Sequence, residues 1–186
     1  MSKVRKAGII GAFPVLLALW SSPAMAAQVL DVDFSKQAAP NGTHFVTGTP
    51  TPTCTVSATQ DVTCPTTTFE LAGVGNTNAT ADLAADFTAT VDCFNPGKNP
   101  NNPVESHTQT VTRPATSGDI SPKNGRLTVN PITATAPTAD EFQAEATCPN
   151  RHWTPVLHPG SINLHSFTYT LTFDGFNKPA ITITGP

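Results

Sequence analysis

Ala85-Asp86-Phe87-Thr88-Ala89-Thr90-Val91-Asp92-Cys93 is the stretch whose reading decides the fold class. Phe87, Ala89, Val91 and Cys93 alternate with Asp86, Thr88, Thr90 and Asp92. A period of two gives a strand with one face inward and one outward. Glu141-Phe142-Gln143-Ala144-Glu145-Ala146-Thr147-Cys148 repeats the pattern, with Phe142, Ala144, Ala146 and Cys148 in phase. The reading expects two strands, each ending in an inward cysteine, bridged across a β-sandwich.

The remaining patterns extend this outward. Residues 161–173 hold the longest β signal, with Phe167, Tyr169, Leu171 and Phe173 on one side and Ser166, Thr168, Thr170 and Thr172 on the other. Asp174-Gly175 follows as a turn, and residues 180–184 are expected as its hairpin partner. Residues 27–34 form the expected first strand, with Leu30, Val32 and Phe34 opposite Asp31 and Asp33. Short strands are expected at 54–58, 66–71, 108–112 and 125–129, and a strand or extended run at 153–157. Residues 35–52 read as a loop and 131–137 as a turn-rich link. Residues 94–106, with Pro96, Pro100 and Pro103, read as a surface loop. The expected fold is all-β: an immunoglobulin-like antiparallel sandwich of about nine strands, stapled by disulfides.

The first residues set the compartment. Lys3, Arg5 and Lys6 precede an apolar run from Ala7 to Trp20, and Ala24-Met25-Ala26 supplies a small-residue cleavage site. The run is about 14 residues, short of the roughly 20 that a spanning helix needs. Residues 1–26 are therefore expected as a signal peptide and 27–186 as a single domain, secreted or envelope-associated, without a membrane anchor. Cleavage removes three cations and no acid, so the net charge falls from −3 to about −6. With no basic patch, nucleic acid is not an expected partner.

All four cysteines follow the cleavage site, and export favours disulfides. Cys54 and Cys64 flank a short polar segment, and Cys93 and Cys148 share inward phase. The preferred pairs are Cys54–Cys64 and Cys93–Cys148. Chain entropy assigns about 3 kcal/mol to the short loop and about 4 kcal/mol to the long one, of about 56 residues. Zinc would need paired C-x₂₋₄-C or H-x₃₋₅-H spacing; Cys54-x₉-Cys64 with His152-x₅-His158 does not provide it, so no metal is expected. Asp31 and Asp33 are expected to form a solvated face rather than a calcium site.

Three motifs together resemble a recurrent type of small exported bacterial protein, commonest in actinobacteria. They are Gly73-Val74-Gly75-Asn76; Cys93-Phe94-Asn95-Pro96-Gly97-Lys98-Asn99-Pro100; and Cys148-Pro149-Asn150-Arg151-His152-Trp153-Thr154. The type carries G-x-G-N, C-x-N-x-G-x-N-P and C-P-N-x-x-W-T signatures, and the resemblance spans residues 71–173. It brings no activity with it. It implies that Cys93 and Cys148 pair and that Trp153 sits near the bridge. Members often end in a further cysteine strand, which Ile181-Thr182-Ile183-Thr184 lacks.

Catalytic signatures are missing. Gly73-Val74-Gly75 lacks the third glycine and the helix of a nucleotide loop. There is no G-x-S-x-G elbow. His44, His107, His152, His158 and His165 are scattered. Asp86, Asp92, Glu141 and Glu145 are expected to project into solvent, not into a glycosidase groove. After cleavage the only tryptophan is Trp153, expected in the core against the bridge, and the only tyrosine is Tyr169, too few for an aromatic platform. The sequons at Asn41 and Asn78 are given no role in an exported bacterial chain. The expectation is a non-catalytic binding or envelope-associated module, without cofactor, whose ligand is a protein or a glycan. A secreted hydrolase or enzyme inhibitor is the alternative.

Overall fold

The computed structural model describes residues 32–97 and 102–186. The elements run β1 Val32–Phe34, β2 His44–Phe45, β3 Thr55–Val56, β4 Val62–Cys64, β5 Phe69–Ala72, β6 Ala79–Phe94 and β7 Glu105–Ile120. They continue with β8 Arg126–Val129, β9 Ile132–Ala134, α1 Ala139–Glu145, β10 Thr154–Leu157, β11 Asn163–Phe173 and β12 Ile181–Gly185. The expected leader, residues 27–31 of the expected first strand, and Lys98–Asn101 of the expected loop lie outside the described residues.

β6 is the spine. Its inward positions, from Ala79 through Leu83 and Phe87 to Cys93, are all buried. β7 pairs along one edge of it, from Ala79↔Ile120 to Cys93↔Glu105. Its other edge takes β11 over Ala79 to Thr88, then β10 over Val91 to Phe94. β12 and β1 extend the sheet beyond β11. Phe167, Tyr169, Leu171 and Phe173 of β11 face inward as their alternation requires. Two three-stranded sheets, β2-β5-β8 and β3-β4-β9, add Phe69, Leu71, Leu127, Val129 and Val62 to the same core. All strand pairs are antiparallel. The chain is thus mostly β, with twelve strands among the described residues where about nine are expected.

Cys54–Cys64 and Cys93–Cys148 are both formed, with Cα separations of 4.5 and 5.8 Å. The short bridge joins β4 to the residue before β3. The long one does not join two strands. Residues 139–145 are a helix, which corrects the expected strand at 141–148. The physical reason lies at the helix start, where Thr138 and Glu141 form a reciprocal capping box. Thr138 donates its backbone N–H and its hydroxyl to the Glu141 carboxylate at 2.7 and 3.0 Å. Asp140 and Glu141 also favour the positive end of the helix. Phe142 is fully buried, while Ala144 is exposed instead of inward. Cys148 lies in the irregular segment after α1 and is half-buried. Arg113 pairs with Glu141, and Gln143 Oε1 accepts the Leu157 N–H at 3.0 Å, so α1 is tied to β7 and β10.

Smaller differences also have local causes. β7 runs through Pro114, which opposes Ala84. Proline is tolerated because β7 is an edge strand, and there it discourages pairing with other chains. β9 lies in the expected 131–137 link, and β4 lies between the strands expected at 54–58 and 66–71, where it takes β3 as partner while β5 pairs with β2 and β8. β4 and β9 are too short to show periodicity, and β4 pairs with both β3 and β9. β2 occupies part of the expected 35–52 loop. Gly73 has φ +76°, and a Cβ there would collide with the Gly42 carbonyl, so that corner requires glycine.

Candidate functional site

The six-stranded sheet buries one face and leaves the other in solvent. Its outward positions form cross-strand rows that the registers define. One row is Pro114–Ala84–Thr168, extended by Thr184 of β12. The next is Thr116–Asp82–Thr170, extended by Thr182 and Asp33. On the other side lies Thr112–Asp86–Ser166. Ala84 has the smallest side chain of its row and lies beside Pro114. A shallow groove of about 510 Å³ opens there, lined by Asp82, Ala84, Pro114, Thr116, Thr168 and Thr170. A bulge between Thr80 and Asp82 shifts the β6–β7 register at the groove's end, and Ser117 Oγ there accepts the Ala81 N–H at 2.9 Å. Bulges re-aim neighbouring side chains, which is one reason they occur beside sites.

The carboxylates of this face differ in their surroundings. Asp86 accepts the Thr112 hydroxyl at 2.6 Å on one oxygen and the Ser166 hydroxyl at 3.2 Å on the other. Asp82 is exposed and has no side-chain partner among the described residues. Asp92 is buried, which corrects the expectation that it projects into solvent. Its Oδ1 accepts the Ser106 hydroxyl at 2.5 Å, and its Oδ2 lies 2.9 Å from His158 Nδ1. The Ser106 hydrogen bond, with a smaller contribution from His158, holds the Asp92 carboxyl below its ordinary value against the opposing effect of desolvation. The turn carrying His158 is fastened to β6. The His158 N–H donates to the Thr90 carbonyl at 2.9 Å, and Ser161 Oγ accepts the Thr90 N–H at 3.1 Å. The two exposed large apolar side chains among the described residues, Val104 and Val156, lie at this end.

This cluster holds a serine, an acid and a histidine in the wrong order for a serine nucleophile. Such a triad places the imidazole between hydroxyl and carboxylate, so that it removes the hydroxyl proton. Here the carboxylate stands in the middle, and Ser106 gives its proton's hydrogen bond to Asp92. His158 keeps an exposed ring whose Nδ1 faces the acid.

The other residues singled out in the sequence are dispersed. His44 Nδ1 contacts the Gly42 carbonyl at 2.8 Å, and His107 Nε2 lies 3.2 Å from Glu105 with no hydrogen-bond partner among the described residues. His152, His165 and Glu145 are exposed. Glu141 is bound to α1's own start and to Arg113, which with Thr138 depresses its carboxyl to about 2. Trp153 is half-buried and not a core residue, unlike the expectation. Tyr169 lies wholly inside. Its hydroxyl has no partner among the described residues, and burial, with the nearby Asp82 charge, pushes its pKa well up. Among the described residues no group of three or more His, Cys, Asp or Glu could hold a metal ion, and no helix is long and apolar enough to cross a membrane.

No family model, curated protein or solved structure matches the chain. The geometry of the outer face is therefore what bears on function. Sequence reasoning missed Ser106 and the groove. Pro114 inside a β pattern and the small outward Ala84 are the signals that point to the groove.

Proposed function

We propose that the chain is an exported, non-catalytic binding module of the small bacterial type its motifs resemble, and that it engages a glycan on the outer face of the six-stranded sheet. The supporting observation is the groove over Ala84 and Pro114, an apolar floor rimmed by the Thr116, Thr168 and Thr170 hydroxyls and the Asp82 carboxylate. Hydroxyls that both donate and accept complement a polyol, and the small floor admits the C–H face of a sugar ring. We read the architecture as an immunoglobulin-like sandwich, with the six-stranded sheet as one layer and the two small sheets as the other. Their shared core supports that reading. Secretion to the medium or retention in the envelope fits the two disulfides.

The Asp92–His158 contact favours a second reading, a secreted hydrolase using His158 as base. One experiment separates the two. The mature protein is incubated with immobilised glycans and with chromogenic ester, peptide and glycoside substrates. Saturable retention without turnover is the expected result. Turnover abolished by His158→Gln would replace the binding module with the enzyme.

A further inference from the structure

The outer face has one sign of charge. Outward positions on the strands of the six-stranded sheet carry Asp33, Asp82, Asp86, Asp92 and Asp119, and among the described residues no Lys or Arg. Arg113, the one cation on these strands, sits in the inward row opposite Ala85 and is paired with Glu141. A ligand for this face is selected for positive charge.

Within the face, Asp82 is the carboxylate that lines the groove; Asp33, at the far end of the same row, is also exposed but lies outside the groove lining. Asp86 has both oxygens engaged by Thr112 and Ser166, and Asp92 is buried between Ser106 and His158. Asp82 stands at the rim of the groove, one row from the Ala84–Pro114 floor. Adjacent rows on one strand face are about 7 Å apart. We propose that the groove takes an amino-sugar unit of a polysaccharide, with its free ammonium on Asp82 and its ring over Ala84 and Pro114. The proposal rests on the glycan reading above and names the class of glycan. A basic peptide would satisfy Asp82 equally. The hydroxyls of Thr116, Thr168 and Thr170 favour the sugar, because a lysine stem offers them nothing to bond. The volume of about 510 Å³ also exceeds what one lysine side chain fills and lies in the range of small-ligand sites.

An ammonium on an exposed carboxylate is a weak, salt-screened contact, so affinity should grow with the number of sugar units. The test is calorimetric titration of the mature protein with glucosamine oligomers, with N-acetylglucosamine oligomers of equal length, and with poly-L-lysine. It is run on wild type, Asp82→Asn and Ala84→Lys. Both positions are exposed, so both variants should remain folded. The expected result is that glucosamine oligomers bind, and that Asp82→Asn, Ala84→Lys or N-acetylation of the ligand each weaken binding about threefold or more. Equal binding of free and acetylated oligomers, insensitive to Asp82→Asn, would overturn the ammonium anchor while leaving glycan binding intact. Tighter, Asp82-dependent binding of poly-L-lysine would overturn the amino-sugar class in favour of a basic polypeptide. Failure of both oligomers to bind would overturn the inference alone, since the wider glycan panel tests the function independently.

Discussion

Removing each disulfide in turn tests how the chain is stapled. Cys93–Cys148 spans a sequence separation of 55 and Cys54–Cys64 one of 10. In the chain-entropy model the denatured ensemble gains about 4 kcal/mol from loss of the long loop and about 3 kcal/mol from loss of the short one. The difference depends only on the ratio of loop sizes and is about 1.4 kcal/mol. Packing narrows it. Cys54, Cys64 and Cys93 are all buried, whereas Cys148 is half-buried, so the short bridge removes slightly more buried sulfur when both cysteines become alanine. The Cys93→Ala/Cys148→Ala variant should therefore be the less stable by about 1 kcal/mol, each variant losing about 2–5 kcal/mol. The assay is urea unfolding of both double variants and wild type, comparing midpoints at matched slopes. A larger loss from Cys54→Ala/Cys64→Ala would refute the reasoning. It would mean that local packing around β3 and β4, not loop closure, dominates the bridges.

Other outcomes follow from single side chains. Phe142→Ala should cost about 3–5 kcal/mol, whereas Ala144→Glu should stay within about 0.5 kcal/mol. Comparable losses at both positions would favour a strand there over α1. Asp92→Asn should cost about 1–2 kcal/mol at pH 7, because the Ser106 and His158 contacts lose a charged acceptor. Asp92 has a depressed folded value, so its contribution is present above the ordinary carboxyl range near pH 4 and is lost as pH falls through the folded value. The gap between wild type and Asp92→Asn in urea midpoint should shrink as the pH falls below about 4, and a gap that widened would contradict the assignment. Mass spectrometry of the secreted product should find Ala27 first; a product retaining Met1 would overturn the signal-peptide reading.

The legible parts of the fold were the long alternations. β6 and β11 are 16 and 11 residues long, so their phase survives local noise and places Phe87, Val91, Tyr169 and Phe173 inward as expected. Phe142, Ala144, Ala146 and Cys148 keep a period of two that hides α1; on the helix only Phe142 faces the core, Ala144 lies about 200° around from it and is exposed, and Cys148 lies past the helix end. The capping pair Thr138 and Glu141, just after Pro137, was the opposing signal. Pro114 concealed the length of β7, since its tolerance depends on the edge position, a property of the assembled sheet. The site was less legible than the fold. Ser106 lies 14 residues from Asp92 and His158 lies 66. These separations are set by a hairpin and by the placement of β10 beside β6, and no spacing rule encodes them. The groove depends on Ala84 being opposite both Pro114 and Thr168, again a matter of register.

The central claim is that the open face of the six-stranded sheet is where this protein binds. Backbone amide shift mapping of the mature domain, titrated with any glycan that the panel shows to be retained, tests it most directly. The account predicts perturbations clustered on Asp82, Ala84, Thr116, Thr168 and Thr170, with the amides of β5 and β8 unmoved. Perturbations centred instead on Asp92 and His158, or on the two small sheets, would contradict it.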